Sequence, residues 1–295
     1  MAKTVLGCAA LLLVTTGVLS LHAQQPSFTF PGIQYPKGQD VSPTFDAWER
    51  NPDGTFSMWF GYFNRNTREE IDVPIGSENK IDLGNGDQGQ PTHFYPGRRW
   101  WVFRVVVPKD WPVDKRVVWT LTNQGRTNQA KAWLHPELEA DKLLISANGA
   151  ADPFLMVLGR PIAEAINEGD VAPVIRPISA QIVTLPATAK LTVTVTDDGI
   201  PKPRAGDRTA DGNVRGAVDG VRVRWILYRG PGNVKFDPEV SSPVYGKPLT
   251  AETKVSFSVP GDYRVRVIAS DGALFSTYDI DVKVNSNKSG DTKAR

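Results

Sequence analysis

The sequence predicts an all-β protein, two antiparallel β-sandwich domains behind a signal peptide, and three observations carry that prediction. Apolar side chains recur at every second position in many short segments. Each segment is bounded by Gly, Pro, Asn or Asp, drawn from 26 Gly and 23 Pro in 295 residues. Helical periodicity is scarce, and parallel strands would need long crossovers that the spacing does not provide.

The first element is a leader. Lys3 precedes an apolar run from Val5 to Leu21, too short to span a bilayer, and Leu21-His22-Ala23 offers a peptidase site. Cleavage there removes Cys8, the single cysteine, so the mature chain is thiol-free and its cores must hold without disulfides. Val5-Leu6-Gly7-Cys8 imitates a lipoprotein box, but the apolar stretch lies mostly after the cysteine instead of before it. The expected location is secreted or periplasmic, in a bacterial setting, because eukaryotic secreted sandwiches more often carry disulfides. No later run reaches membrane-spanning length, so no integral membrane segment is expected after cleavage. With 34 basic against 32 acidic residues the charge is near balance, which argues against a nucleic-acid partner.

A Pro-rich lead-in (24–44) is followed by the first sandwich (45–140). Phe56, Met58, Phe60 and Tyr62 share one face, Thr55, Ser57, Trp59 and Gly61 the other, and Asn51-Pro52-Asp53-Gly54 is a turn, so residues 45–63 read as a hairpin. Trp101, Phe103, Val105 and Val107 form one face of the next strand. Val117, Trp119 and Leu121 form one face of another, and Asn123-Gln124-Gly125 turns it into 127–134. Residues 141–177 read as a packed connector, with a short helix allowed only after Pro161. The second sandwich (178–285) has cleaner alternation: Leu191/Val193/Val195, Val221/Val223/Trp225/Leu227, Val255/Phe257/Val259, Tyr263/Val265/Val267/Ala269 and Tyr278/Ile280/Val282/Val284. Each such buried side chain contributes roughly 1.5–3 kcal/mol, enough in sum to offset chain entropy without a bridge. The polar tail (286–295) is expected to be disordered.

Within 178–285, Trp225, the Arg229-Gly230-Pro231-Gly232 turn, Val259-Pro260-Gly261-Asp262-Tyr263 and Ala269-Ser270-Asp271-Gly272 together resemble the PKD family of immunoglobulin-like domains. The resemblance implies an extracellular interaction or spacer module that is not itself catalytic. The long segment between Asp197 and Gly220 departs from the family's compact loop, and the first sandwich resembles no family. Independently of the resemblance, a Trp on the third strand beneath a Tyr near the start of the penultimate one is how such a sandwich fills its centre, with Val265 where antibody domains place a cysteine.

Residues capable of chemistry are few. Gly84-Asn85-Gly86-Asp87-Gln88-Gly89 spells a dinucleotide fingerprint, but Gln90-Pro91 follows where a helix should begin, so it reads as a surface loop. The mature chain has two imidazoles, His93 and His135, neither near a nucleophile elbow, and His93 reads as a hydrogen-bonded loop residue. Closely spaced zinc ligands are absent. Calcium is the possible cofactor: Asp197 and Asp198 (with Asp207, Asp211 and Asp219 in the same loop) and Asp271 belong to loops at one pole of an immunoglobulin-like sandwich. Lys202, Arg204, Arg208 and Arg215 are the alternative source of neutralising charge. Arg264 and Arg266 are expected opposite Asp281 and Asp279, leaving Arg222 and Arg224 free for an anionic partner. Seven of eight Trp lie in the first sandwich, and Trp59, Trp100, Trp101 and Trp133 are the candidates for a surface that stacks on sugars or anchors a protein.

The reading is an exported, non-enzymatic binding or scaffolding module whose partner is an extracellular or envelope protein or polysaccharide. Its alternatives are a carbohydrate-binding protein using the Trp face and a carboxylate-dependent hydrolase, for which Glu69 and Glu70 are the nearest candidates.

Overall fold

The computed structural model describes residues 34–158, 162–208, 214–215 and 218–287. The expected leader with Cys8, most of the expected lead-in, Asp211 and the tail from 288 lie outside the described residues. No described helix is long and apolar enough to cross a membrane.

The architecture is all-β, in two antiparallel sandwiches. The first contains β1 (Val41–Arg50), β2 (Phe56–Asn64), β3 (Ile71–Asp72), β4 (Asn79–Ile81), β5 (His93–Phe94), β6 (Gly97–Val107), β7 (Val117–Asn123) and β8 (Arg126–Ala132). One sheet runs β1-β2-β6, another β4-β7-β8, and β3 pairs with β5. The expected hairpin is β1-β2, closed by Gly54 N donating to Asn51 O at 2.9 Å with Gly54 at φ +86°. The first strand begins at Val41, inside the expected lead-in, because Val41 N and O bond the Asn123 side chain. Between the sheets Phe60 stacks on Phe103 (5.2 Å between centroids), and Trp119 meets both rings edge-on. Such aromatic pairs add about 0.5–1.5 kcal/mol each beyond burial, so the disulfide-free core is accounted for by packing.

Two short helices cross the connector, α1 (Lys142–Gly149) and α2 (Ile162–Glu168). The second begins after Pro161, as the sequence requires. The first was not visible in the pattern; it is started by Asp141, whose side chain accepts from Leu144 N at 2.8 Å.

The second sandwich contains β9 (Val174–Ile175), β10 (Gln181–Thr184), β11 (Ala189–Thr196), β12 (Asp207–Arg208), β13 (Val214–Arg215), β14 (Arg222–Arg229), β15 (Val234–Asp237), β16 (Leu249–Phe257), β17 (Gly261–Ser270) and β18 (Phe275–Asn285). Its sheets run β10-β18-β17-β14 and β15-β16-β11-β9, with β10 parallel to β18. Two facing four-stranded sheets with a buried Trp225 and Val265 (each 0% exposed) make this an immunoglobulin-like sandwich. Tyr263 Oη donates to Val259 O at 2.8 Å, the tyrosine corner of such folds, and Gly230 lies so close to the Tyr263 ring that a Cβ would overlap it. Val259, expected on the inner face, lies past the end of β16 and is 39% exposed.

The strand that departs most from simple alternation is β6. Phe60 pairs with Phe103 but Tyr62 with Arg99, so extra residues of β6 bulge between them. Trp101 sits in that bulge at φ +55° and turns away from Phe103 into a cluster with Ala47, Leu155, Ile162 and Ile268. A facing bulge in β1 presents buried Asp46, which accepts Trp101 N at 2.9 Å and pairs with Arg98. Gly61 lies between the two bulges: a Cβ there would fall within 3 Å of Arg99 O, Arg98 Nη1 and Asp46 Oδ2. Backbone cannot yield as a side chain tip can, so Gly61→Ala is expected to cost about 2–3 kcal/mol, read as a lower urea midpoint at unchanged slope.

Candidate functional site

The two sandwiches meet along a polar seam. β14 is an edge strand of its sheet, and its outer backbone groups are taken in turn. Val221 N donates to Val244 O, Ser241 N to Val223 O, and Trp225 N to Glu239 O. Beyond these the first sandwich takes over: Leu227 N donates to Tyr95 Oη at 2.9 Å, and Thr92 N to Tyr228 O at 3.2 Å. The Gly84–Gly89 loop is part of this lock. Asp87 receives both guanidinium nitrogens of Arg229 at 2.8 and 2.9 Å, Arg229 Nε donates to Gln90 O, and Tyr228 Oη donates to Gly89 O at 2.6 Å. Arg266, buried between the sandwiches, pairs twice with Asp279, lies 3.5 Å from the Tyr228 ring and donates to Val102 O. Burial opposes the Arg266 charge, but Tyr228 and Asp279 outweigh it and raise its pKa.

Beside the seam lies a groove of about 510 Å³ with walls from both sandwiches. Glu70, His93 and Tyr95 come from the first, Asn233, Lys235, Phe236 and Glu239 from the second, and Phe154 from the connector. Trp225 also borders it, and its buried Nε1 has no hydrogen-bond partner. The β3–β5 ladder sets the groove's chemistry, because Asp72 pairs with His93 across it. His93 Nδ1 is 2.7 Å from Asp72 Oδ1 and Nε2 is 3.2 Å from Glu70 Oε2, with the ring 3% exposed. Burial pulls the His93 pKa down, but hydrogen bonds and charge from Asp72 and Glu70 prevail and push it up to about 9. At neutral pH both ring nitrogens therefore donate, and neither has a lone pair with which to accept a proton from a nucleophile.

The structure redistributes the residues singled out in the sequence. Trp101 is 2% exposed and presents no stacking surface, because the β6 bulge turns it inward instead of leaving it opposite Trp100. Trp100 is partly covered by Arg98, whose guanidinium lies 3.9 Å from its ring. Trp59 is half-buried, donates to Glu49 at 2.9 Å and meets Trp101 edge-on. Trp133 is half-buried against Phe45 and His135. Arg222 and Arg224 are not free: the chain returning along β14 brings Glu239 onto Arg224, while Asp219 pairs with Arg222. The register does place Arg264 opposite Asp281 and Arg266 opposite Asp279. Glu69 and Glu70 serve different partners, Gly38 N and His93. Asp197, Asp198 and Asp271 are brought to one pole together with Asp170, which the sequence reading did not single out. Among the described residues no three acidic, His or Cys donors stand where they could hold a metal ion, so this pole does not fit the calcium expected there.

No protein-family model matches the chain, and no curated protein matches it. Among solved structures it is similar to the SrpA adhesin of Streptococcus sanguinis at 12% identity, covering 40% of this chain and 58% of that one, with a TM-score of 0.26. Fibronectin(III)-like modules of Clostridium thermocellum CbhA align at 11% identity over 87% of this chain and 100% of theirs, TM-score 0.23. A conjugative transposon lipoprotein from Bacteroides eggerthii aligns at 11% over 38% and 94%, TM-score 0.22.

The raised His93 pKa has a definite sign. The folded state holds a proton that the unfolded chain releases near pH 6.5, so the stabilisation is complete below that pH and is lost as pH climbs through about 9. His93→Gln is expected to lower stability by about 2–3 kcal/mol at pH 6, and the gap from wild type should narrow to under about 1 kcal/mol by pH 10 in urea titrations. A gap independent of pH would show that His93 contributes by packing alone.

Proposed function

We propose that this chain is an exported, non-catalytic binding module, and that the groove along its seam receives a segment of an envelope protein or polysaccharide. The observation that carries this reading is the construction of the groove: its walls belong to two sandwiches whose relation is fixed by the Arg229–Asp87 pair and the Tyr95 and Tyr228 hydrogen bonds. A site assembled in this way is pre-formed, which lowers the ordering cost of binding. Its lining supports an amphipathic ligand, with Tyr95, Phe154 and Phe236 beside Glu70, Asn233, Lys235 and Glu239.

The non-catalytic reading is supported by the occupied state of the reactive groups. His93 is held as a cation between two carboxylates, Glu70 is paired with it, and Glu239 is paired with Arg224. The PKD-like sequence features and the apolar leader support placement outside the cytoplasm, in a module whose role is attachment or spacing.

A glycan array and a pull-down from the envelope fraction test the proposal together. Lys235→Glu and Phe236→Ala should each weaken the captured ligand by about tenfold or more, while Trp133→Ala leaves capture unchanged. If Trp133→Ala abolishes capture and the groove variants do not, the binding surface lies on the first sandwich instead. Turnover of a polysaccharide that disappears in Glu70→Gln would replace the binding role with a hydrolytic one.

A further inference from the structure

Four consecutive residues, Asn233, Val234, Lys235 and Phe236, line the groove, and the last three belong to β15. Side chains of a strand alternate between its two faces, so a groove that touches successive residues meets the strand along its edge. β15 is the terminal strand of the sheet β15-β16-β11-β9, and the register shows what its outer edge presents. Ser258 N donates to Asn233 O at 3.0 Å, which makes these two a hydrogen-bonded pair of the antiparallel ladder. Bonded and non-bonded pairs alternate along such a ladder. Lys235, opposite Ser256, therefore turns its backbone groups towards β16, whereas Val234, opposite Phe257, and Phe236, opposite Val255, turn theirs away. Among the described residues nothing accepts from Val234 N or Phe236 N, and nothing donates to Val234 O or Phe236 O.

An open edge of this kind is a template for one more strand. It offers two donors and two acceptors in a pattern that repeats about every 7 Å, which an extended polypeptide backbone matches and a sugar chain, lacking the amide repeat, does not. The groove limits what can reach the edge. Its volume of about 510 Å³ falls inside the range of about 300–1,000 Å³ usual for ligand sites, room for a few residues of a single chain. Tyr95 and Phe154 stand on the opposing wall, where the rest of a second sheet would have to lie.

That wall presents acid to solvent. The Glu70 and Glu239 side chains are 47% and 53% exposed, while the cations they pair with, His93 and Arg224, are 3% and 19% exposed. The cations lie behind their carboxylates, so a basic side chain entering the groove meets negative charge first. We infer that the occupant is an extended polypeptide segment, carrying apolar and basic side chains, that adds as a strand to the outer edge of β15. This rests on the groove being the binding site, as proposed above, and narrows its occupant from protein or polysaccharide to protein.

A phage library of random linear heptapeptides panned on the mature chain supplies the probe, and amide exchange followed by NMR reads the edge. In the free chain the Val234 and Phe236 amides should exchange about tenfold or more faster than that of Lys235, and a saturating recovered peptide should slow both by about tenfold or more while Lys235 changes little. Methylating the peptide's backbone nitrogens one at a time should weaken binding by about threefold to tenfold at every second position only. Slow exchange at Val234 and Phe236 without peptide would mean a closed edge and overturn the inference. So would a peptide whose binding is lost in Lys235→Glu but which protects neither amide, or a glycan captured at the groove in place of any peptide; both results leave the groove as the binding site. Protection of the same amides by self-association of the chain would assign the edge to a second copy, against the inference. Capture of neither peptide nor glycan at the groove would overturn the groove reading and the inference together.

Discussion

The structure depends on the closure of one sheet edge. A strand with one unpaired side invites association with other chains, and β14 is such a strand in the sheet β10-β18-β17-β14. Its first half is closed by its own sandwich, through Val244, Ser241 and Glu239, and its second half by Tyr95 and Thr92 of the other. The edge is thereby closed and the two sandwiches are fixed to each other by the same hydrogen bonds. The groove lies beside this junction because Glu239, Tyr95 and His93 occupy the flanks of the closed edge.

The charges at the junction follow from the same geometry. Arg229 is anchored by a forked pair to Asp87 in a loop of the other sandwich, which an ammonium could not reproduce. Arg266 is more deeply placed, and its guanidinium is divided among Asp279, Val102 O and the face of Tyr228. Removing any one of these partners would leave a buried cation incompletely satisfied, so the seam's specificity lies in complete pairing instead of apolar area.

Much of the fold was legible because alternation reports a strand's buried face directly. β11, β14, β17 and β18 bury the residues their period of two assigns, Tyr278 being only partly covered, and the Arg264/Asp281 and Arg266/Asp279 register follows. The exceptions have local causes. Trp101 falls in a bulge at positive φ, where two extra residues of β6 interrupt the pairing with β2, so counting positions assigned it to the Phe103 side. The candidate groove was almost invisible in sequence, since His93, Lys235 and Glu239 are placed together only by the docking of sandwiches. Gly84–Gly89 read as a surface loop because its partner, Arg229, lies in the other half of the chain. Asp170 was overlooked for the same reason: a lone acid after a short helix acquires meaning only beside the turns that follow β11 and β17.

The buried Arg266 guanidinium bears on the order in which a newly made chain completes itself. The amino-terminal sandwich is synthesised first, and its Val102 carbonyl and Tyr95 hydroxyl then face water, because the strands that donate to them have yet to arrive. Until β17 has emerged, that half carries an unfinished, water-wetted flank. The last stage of maturation is thus a docking of halves that expels this water, and a chain interrupted before β14 would keep the flank open to whatever protein it met.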